Sequence, residues 1–508
     1  MKTQSSLPLS PAMLASAGTI LGSIALIPRL LFAMQMDQSF HHYLGWTLLH
    51  GGLPYVASFD QNFPGGAFIY ALAILLFGTS ALGFATFDLL VQILTCWLIA
   101  RLARRLDASG VAALFAPLLY AFTYIGLGVW DTGQRDCFVA PMLVFYAIQL
   151  LRTDRDEHVA SAWGWAGLML GAMLLVRPLM VLAGIPALWY LFTQRRETTR
   201  RSLLVFALSS VLLPLAIIFF YLIVGHVGEL FEATILFNLE VYGKFRHGVT
   251  FRGSGVMTYF YFAGLALVFF QSHDRRPLML LLALCFVAPI STFIQGQGDA
   301  HHFVPTYSIA CVLAALGFAG LISWSRQNRF AIVALLMVLL GFGATRLPMR
   351  LLRDWHEGKS LEAIYADQQR GQMNLRDELA TGRYLKAHTF EGDYIQIFAM
   401  RIWPYQLSGR SASSRFQSNE HLLMHPIEAE PLTPLQQSWR AEFLRDLTRH
   451  PPVYVLVTTD DHLWMLPHGE SSMEQIKRFP EFESLIEKSY TLDTTIGSYK
   501  LFRRHSAV

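Results

Sequence analysis

Residues 13–50 read MLASAGTILGSIALIPRLLFAMQMDQSFHHYLGWTLLH. From 13 to 35 the stretch is apolar, with a single Arg and no acid. At about 1.5 Å per residue it is long enough to cross a hydrocarbon core of about 30 Å. It also exceeds the roughly 7 to 15 residues of a signal-peptide core, so it predicts an uncleaved first membrane helix. The first acid of the chain, Asp37, follows at once. A carboxylate is thereby expected where that helix leaves the membrane.

Working outward, the same texture continues to residue 347. Of the 508 residues, 53% are A, V, I, L, M, F, W, Y or C and 15% are charged, against roughly 25% charged in a soluble domain. Residues 1–347 hold 36 charged side chains, whereas the shorter stretch 348–508 holds 40. Two materials are joined, and a soluble enzyme is excluded. Apolar runs bounded by charge lie near 13–35, 80–100, 109–128, 137–151, 160–177, 179–193, 203–224, 256–271, 278–294, 303–323 and 330–347. The expected fold is therefore mostly α: a polytopic membrane helix bundle of about 11 spans over 1–347. A small C-terminal α/β domain over 348–508 follows. Within it we expect a helix near 361–388 and strands at YIQIF (394–398), VYVLVT (453–458) and SYKLF (498–502). The segment 64–78 (PGGAFIYALAILLFG) is apolar but too short to span, which fits a helix lying in the interface or re-entering.

Orientation follows from Lys and Arg, which gather on the cytoplasmic side. With the N-terminus inside, Lys2 and alternate loops carry 14 of them, from Arg101 to Arg329, while the opposite loops hold Arg135, Lys244, Arg246 and Arg252. The C-terminal domain is then extracytoplasmic, at what we take to be a bacterial inner membrane. The net charge of +4 is explained by these clusters, so it reports topology and not nucleic-acid binding. Cys96, Cys137, Cys285 and Cys311 lie in or at the edge of apolar runs, and no disulfide framework or CxxC zinc site exists. The tail has no GxGxxG, P-loop or HExxH pattern.

Several outer-face residues carry candidate chemistry. Asp37 is placed to take a proton from an acceptor hydroxyl, or alternatively to cap an interfacial helix. Asp60, in YVASFDQNFPGG, suits substrate or metal binding, or a turn before the next helix. Arg177, in LMLGAMLLVRP, has no acid near it in sequence. An Arg in apolar surroundings costs about 2.5 to 3.5 kcal/mol on insertion scales, so it either binds a phosphate bidentately or snorkels. Asp299, His301 and His302 in QGQGDAHHFVPTY combine metal-capable residue types, without the spacing of a strong metal motif. A divalent metal thus stays an open option, beside hydrogen bonding to phosphate. Lys244, Arg246 and Arg252 face either anionic groups or solvent. Asp88, within the second span, requires a partner inside the bundle.

Taken in order, Asp37, GGLPYVASFDQNFPGG, LFGTSALG, GLMLGAMLLVRP, DAHHFVPTY and the later YLKAHTFEGDYIQIF and SGRSASSRF resemble polytopic glycosyltransferases of the C superfamily. The resemblance is greatest to the protein mannosyltransferase and aminoarabinose transferase relatives of glycosyltransferase family 39, and it covers nearly the whole chain. It implies transfer of a sugar from a polyprenyl-phosphate donor to a glycan, lipid or protein acceptor on the outer face, with inversion and with Asp37 as general base. From their location, and not from the resemblance, Arg177, His301 and Lys244 or Arg246 are expected to steady the leaving phosphate, and His302 and Asp136 to line the substrate site. Two departures stand out. Many relatives follow the first acid with a second, whereas this chain has Gln38, so a second carboxylate must come from Asp60 or Asp136. Relatives also often carry a Lys before the first-loop proline, where this chain reads DQNFP. The rival readings are a transporter or flippase of lipid-linked sugars, often built from repeated halves that are not visible here, and a non-catalytic assembly subunit. Arg401, Trp403 and Tyr405 are expected in a loop that selects the acceptor.

Overall fold

A computed structural model describes residues 10–153, 159–194, 199–245, 264–265, 268, 275–296, 298–324, 346–368, 375–424, 431–462 and 469–505. Among these, six helices are long and apolar enough to cross a membrane. They are Pro11–Leu31, Ala81–Leu106, Val159–Val176, Thr199–Ile223, Arg275–Gln295 and Ala300–Gly320. Shorter apolar helices occupy Gly65–Phe77, Val111–Gly126 and Pro178–Thr193. The expected runs at 256–271 and 330–347 lie almost entirely outside the described residues. The chain is a multi-pass integral membrane protein, mostly helical, with one small sheet.

It folds as two compact units. The first comprises 1–32, 85–219 and 247–358, and the second 33–84, 220–246 and 359–508.

In the first unit, small residues set the helix contacts. The helix Pro11–Leu26 packs on Val111–Gly126. A Cβ placed on Gly18 would stand 2.7 Å from the backbone oxygen of Leu114. Close approach through small residues is how membrane helices gain dispersion contacts when lipid offers no hydrophobic drive. Gly18→Val is expected to force these helices apart, at a cost of about 1–3 kcal/mol. Thermal melting of the detergent-purified variant checks this. The partner required by Asp88 is Arg29, at the end of the first span, and Gln92 and Tyr124 also bond the same carboxylate. Arg29 and Asp88 are 1% and 0% exposed, a depth at which each needs the other.

The second unit holds a five-stranded sheet of order β2-β1-β3-β5-β4. The strands are β1 (Tyr394–Phe398), β2 (Ser411–Ala412), β3 (Tyr454–Thr458), β4 (Tyr490–Ile496) and β5 (Tyr499–Arg504). β1 runs parallel to β2 and β3, and β5 runs antiparallel to β3 and β4. The central β3, YVLVT, is buried along its whole length, as a continuous β-branched and apolar run requires when both faces are covered. The helices Met36–Leu49 and Gly65–Phe77 contribute Phe40, Tyr43, Leu44, Trp46, Ala67 and Ile74 to the same core as Ile395, Ile397, Leu456 and Leu501. The segment expected as one helix over 361–388 contains helices at Leu361–Ala366 and Leu375–His388, with 369–374 outside the described residues. The loop expected to present Arg401, Trp403 and Tyr405 is instead interior, all three side chains being at most 2% exposed. Arg401 is spent on Asp460 and Ser498.

Candidate functional site

Each unit gathers one cluster of the residues singled out above. In the second unit, Asp37 occupies the first turn of the helix Met36–Leu49. It is not the cap. Gln35 takes that position, and the Gln38 side chain accepts from the Gln35 backbone N–H at 2.9 Å, completing a capping box. The residue that stands where relatives carry a second acid thus secures the start of the helix. An acid in a first turn lies at the positive end of the helix dipole.

Asp60 is 3% exposed. Its Oδ1 accepts from the backbone and side-chain nitrogens of Asn62 at 3.0 and 2.8 Å, and its Oδ2 lies 3.8 Å from His41 Nδ1. The neighbouring Gln61 Oε1 meets His421 Nε2 at 2.7 Å. His421 is fully buried and packs against Phe59, with ring centroids 4.4 Å apart. Burial, followed by the Arg415 charge, depresses the pKa of His421 to about 3, so the ring is neutral.

A third acid, Glu420, completes this cluster and went unnoticed in the sequence. Burial, then the negative charges of Asp37 and Asp60, push its pKa up to about 8. At neutral pH it keeps its proton beside two carboxylates. The folded protein therefore holds one more proton than the unfolded chain between the ordinary glutamate pKa near 4.5 and about 8. Stability from this group is full below that window and lost as pH rises through it. Glu420→Gln is expected to remove that slope. The variant should melt higher than wild type at pH 8 and at the same temperature at pH 5, as read by scanning fluorimetry. Lys244 lies exposed at the end of a short 3-10 turn of the same unit, and Arg246 and Arg252 fall outside the described residues.

The first unit holds Asp136, Arg177, His301 and His302, with Asp131 beside them. Arg177 finds the acid that its sequence neighbours lack, because Asp136 Oδ1 lies 2.5 Å from Nη1. Nη1 also donates to the His302 carbonyl at 3.2 Å. Nε donates to Ser291 at 3.0 Å, and Nη2 to Thr292 and Gln295 at 2.8 and 3.2 Å. With five such contacts, its five N–H donors are engaged. His302 Nδ1 lies 3.2 Å from Asp136 Oδ2, and His301 Nδ1 lies 3.0 Å from Asp131 Oδ1. Arg177 and Asp136 are 2% and 1% exposed.

Asp136, His301 and His302 each offer one ligand atom within 4.8 Å of the others, a donor set that zinc-like ions accept. The surroundings fit an ion poorly. Asp136 spends both oxygens on Arg177 and His302, each imidazole Nδ1 already faces a carboxylate, and a cation would sit beside a guanidinium. The cluster is better satisfied as a hydrogen-bond network in which Asp136 holds Arg177 and His302, and Asp131 holds His301. Asp299 ends the preceding loop, its carbonyl accepting from His302 N–H at 3.1 Å.

Residues 61–223 match the family described as dolichyl-phosphate-mannose-protein mannosyltransferase. The fold is similar to ArnT from Cupriavidus metallidurans bound to undecaprenyl phosphate, with a TM-score of 0.59, 12% identity and 98% of each chain covered. The apo form of that protein matches with a TM-score of 0.57, 12% identity and 97% of each chain covered. Archaeal oligosaccharyltransferase AglB from Archaeoglobus fulgidus, in complex with an inhibitory peptide and a dolichol-phosphate, has a TM-score of 0.49 at 14% identity, over 98% of this chain and 74% of that one. No curated protein sequence matches the chain.

Proposed function

We propose that this chain, a membrane protein of the glycosyltransferase C superfamily by its fold and by the mannosyltransferase pattern in residues 61–223, transfers a sugar from a polyprenyl-phosphate donor to a glycan, lipid or protein acceptor. The observation that carries this reading is that Asp37 and Asp60 share one compact unit, Asp37 in the first turn of the helix Met36–Leu49 and Asp60 in the loop that meets this helix at His41, 3.8 Å away. Asp37 is the general base, charged in a first turn. It removes the acceptor proton as the oxygen attacks the anomeric carbon, the bond to phosphate breaks, and the configuration inverts. Asp60, held by Asn62, orients the substrate. Glu420 keeps the cluster from carrying three negative charges, which would repel a phosphate. Lys244, with Arg246, offers positive charge to the leaving phosphate. Arg177 and His301 serve less directly: Arg177 holds Asp136 and the His302 carbonyl, and His301 is held by Asp131.

We also assign the C-terminal third to the extracytoplasmic side of a bacterial inner membrane. The loops over 36–63 and 225–255, which alternate with the Arg-rich loops and so fall on the outer side, lie within or overlap the compact unit that contains residues 359–508. That is the pattern expected if all three share one side.

The test is direct. Purified wild-type protein in lipid nanodiscs, given polyprenyl-phosphate sugars and an envelope extract, should release polyprenyl phosphate and add one sugar mass to a defined acceptor, both read by mass spectrometry. A flippase would move the donor across vesicles and leave its glycosyl-phosphate bond intact. That outcome, or no reaction at all, would reject the transferase reading.

A further inference from the structure

The proposed substrate-orienting Asp60 sits in a loop with strained backbone. Tyr55 adopts a φ of +69°, a left-handed conformation costly for a bulky side chain, which persists only where its surroundings enforce it. Hydrogen bonds from several segments enforce it. The Tyr55 hydroxyl donates to the Asn62 carbonyl at 2.7 Å, closing the loop on itself. Tyr221 donates to the Pro54 carbonyl at 3.0 Å, and Asn238 to the Gln61 carbonyl at 2.7 Å. The remaining contacts come from a segment more than 350 residues away. Arg415 Nη1 donates to the Tyr55 carbonyl at 2.8 Å, while its Nε and Nη2 grip Glu442 bidentately at 2.6 and 2.9 Å. Gln417 bonds both polar groups of one residue: its Oε1 accepts from Phe59 N–H at 2.9 Å, an N–H that the Arg415 carbonyl also accepts at 2.8 Å, and its Nε2 donates to the Phe59 carbonyl at 2.7 Å.

From these contacts we infer that Gln417, supported by Arg415, is a positioning residue that sets the Asp60 carboxylate for the transfer reaction. A side-chain amide that bonds the N–H and C=O of the same residue acts, together with the Arg415 carbonyl, as a strand partner that fixes the peptide planes on both sides of Phe59. Asp60 is the next residue, so its Cα and the direction of its side chain are fixed with it. Arg415 is in turn immobilised. Its guanidinium lies 4.8 Å from the Phe416 ring centroid and 5.7 Å from those of Phe59 and Trp439, and each of its three nitrogens donates to Glu442 or Tyr55. The arrangement lets the C-terminal third govern the geometry of the first loop without touching substrate. Catalytic groups held 1 Å out of place lose much of their effect, so the expected consequence is on turnover.

The inference rests on the transferase reading, and its test separates the two. Full-length Gln417→Met, Arg415→Lys and Arg415→Met are compared with wild type in nanodiscs by donor-concentration kinetics, by thermal melting and by hydrogen exchange of the 53–62 peptide. Gln417→Met is expected to lower kcat tenfold or more with KM for the donor changed less than threefold, at an unchanged melting temperature. Exchange of the loop should rise tenfold or more. Arg415→Lys keeps a donor to Tyr55 and should retain most of the turnover lost in Arg415→Met. The inference is overturned if loop exchange stays at the wild-type rate in Gln417→Met. It is also overturned if exchange rises while kcat remains within twofold of wild type, or if melting falls in parallel with kcat, which marks a merely structural role. Absence of transfer by wild type rejects the glycosyl-transfer reading, whereas the exchange rates report on the clamp alone.

Discussion

Asp37→Asn is expected to abolish sugar transfer, lowering kcat by about 10²- to 10⁴-fold, the range a positioned general base supplies. The substitution conserves shape and leaves the capping pair Gln35 and Gln38 untouched, so the helix Met36–Leu49 should form normally. Melting temperature and membrane level should match wild type, and donor KM should change little, since an amide still fits the space. It also removes one of the two negative charges that hold the Glu420 proton in place, so the pH window of that group should move downward. Mass spectrometry of envelope glycolipids and glycoproteins from cells lacking the protein, complemented by wild type or by Asp37→Asn at equal membrane levels, gives the decisive reading. Full restoration by the variant would remove Asp37 from the mechanism and favour a transporter or an assembly role.

The second large effect is on stability. Arg177→Leu leaves Asp136 charged, 1% exposed and without its guanidinium, and breaking a buried ion pair from one side costs about 3–5 kcal/mol. Ser291, Thr292 and Gln295 lose their donor at the same time. The variant should melt far below wild type in detergent and reach the membrane in reduced amount. Adding Asp136→Asn removes the stranded charge and should recover part of the loss. Because the two residues are in contact, their effects should be strongly non-additive. Additive losses would mean that the pair is not the unit that matters. This experiment also separates scaffold from chemistry, since a rescued double variant that still transfers sugar would confine the pair to a structural task.

The apolar helices could be read in advance because about twenty apolar residues bounded by charge have few other uses. The strands β1 and β3 were equally legible, as short β-branched runs between polar stretches. β4 was not: TLDTTI carries exposed polar side chains along an edge, and edge strands carry little hydrophobic signal. The ion pairs show the same division. Arg177 and Asp88 were conspicuous as charges in apolar surroundings, but their partners Asp136 and Arg29 lie 41 and 59 residues away, and no local pattern links them. Asp37 and Asp60 could be singled out from the first loop alone. Glu420 could not, since it becomes unusual only when folding brings it near their charges. The nearest signal in the sequence is the stretch SGRSASSRF just upstream, which forms part of the resemblance.

The way the second unit is assembled has a consequence for how the protein is made. Its three segments, 33–84, 220–246 and 359–508, leave the ribosome at widely separated moments, and Phe59 is synthesised 358 residues before its partner Gln417. The loop bearing Asp60 therefore waits, unfinished, through the synthesis of nearly every apolar helix. A nascent chain already threaded into the bilayer lacks the contacts that shape this loop until its last third has been made. A truncated product should be inserted and yet inert, so the order of synthesis itself withholds activity from partial chains.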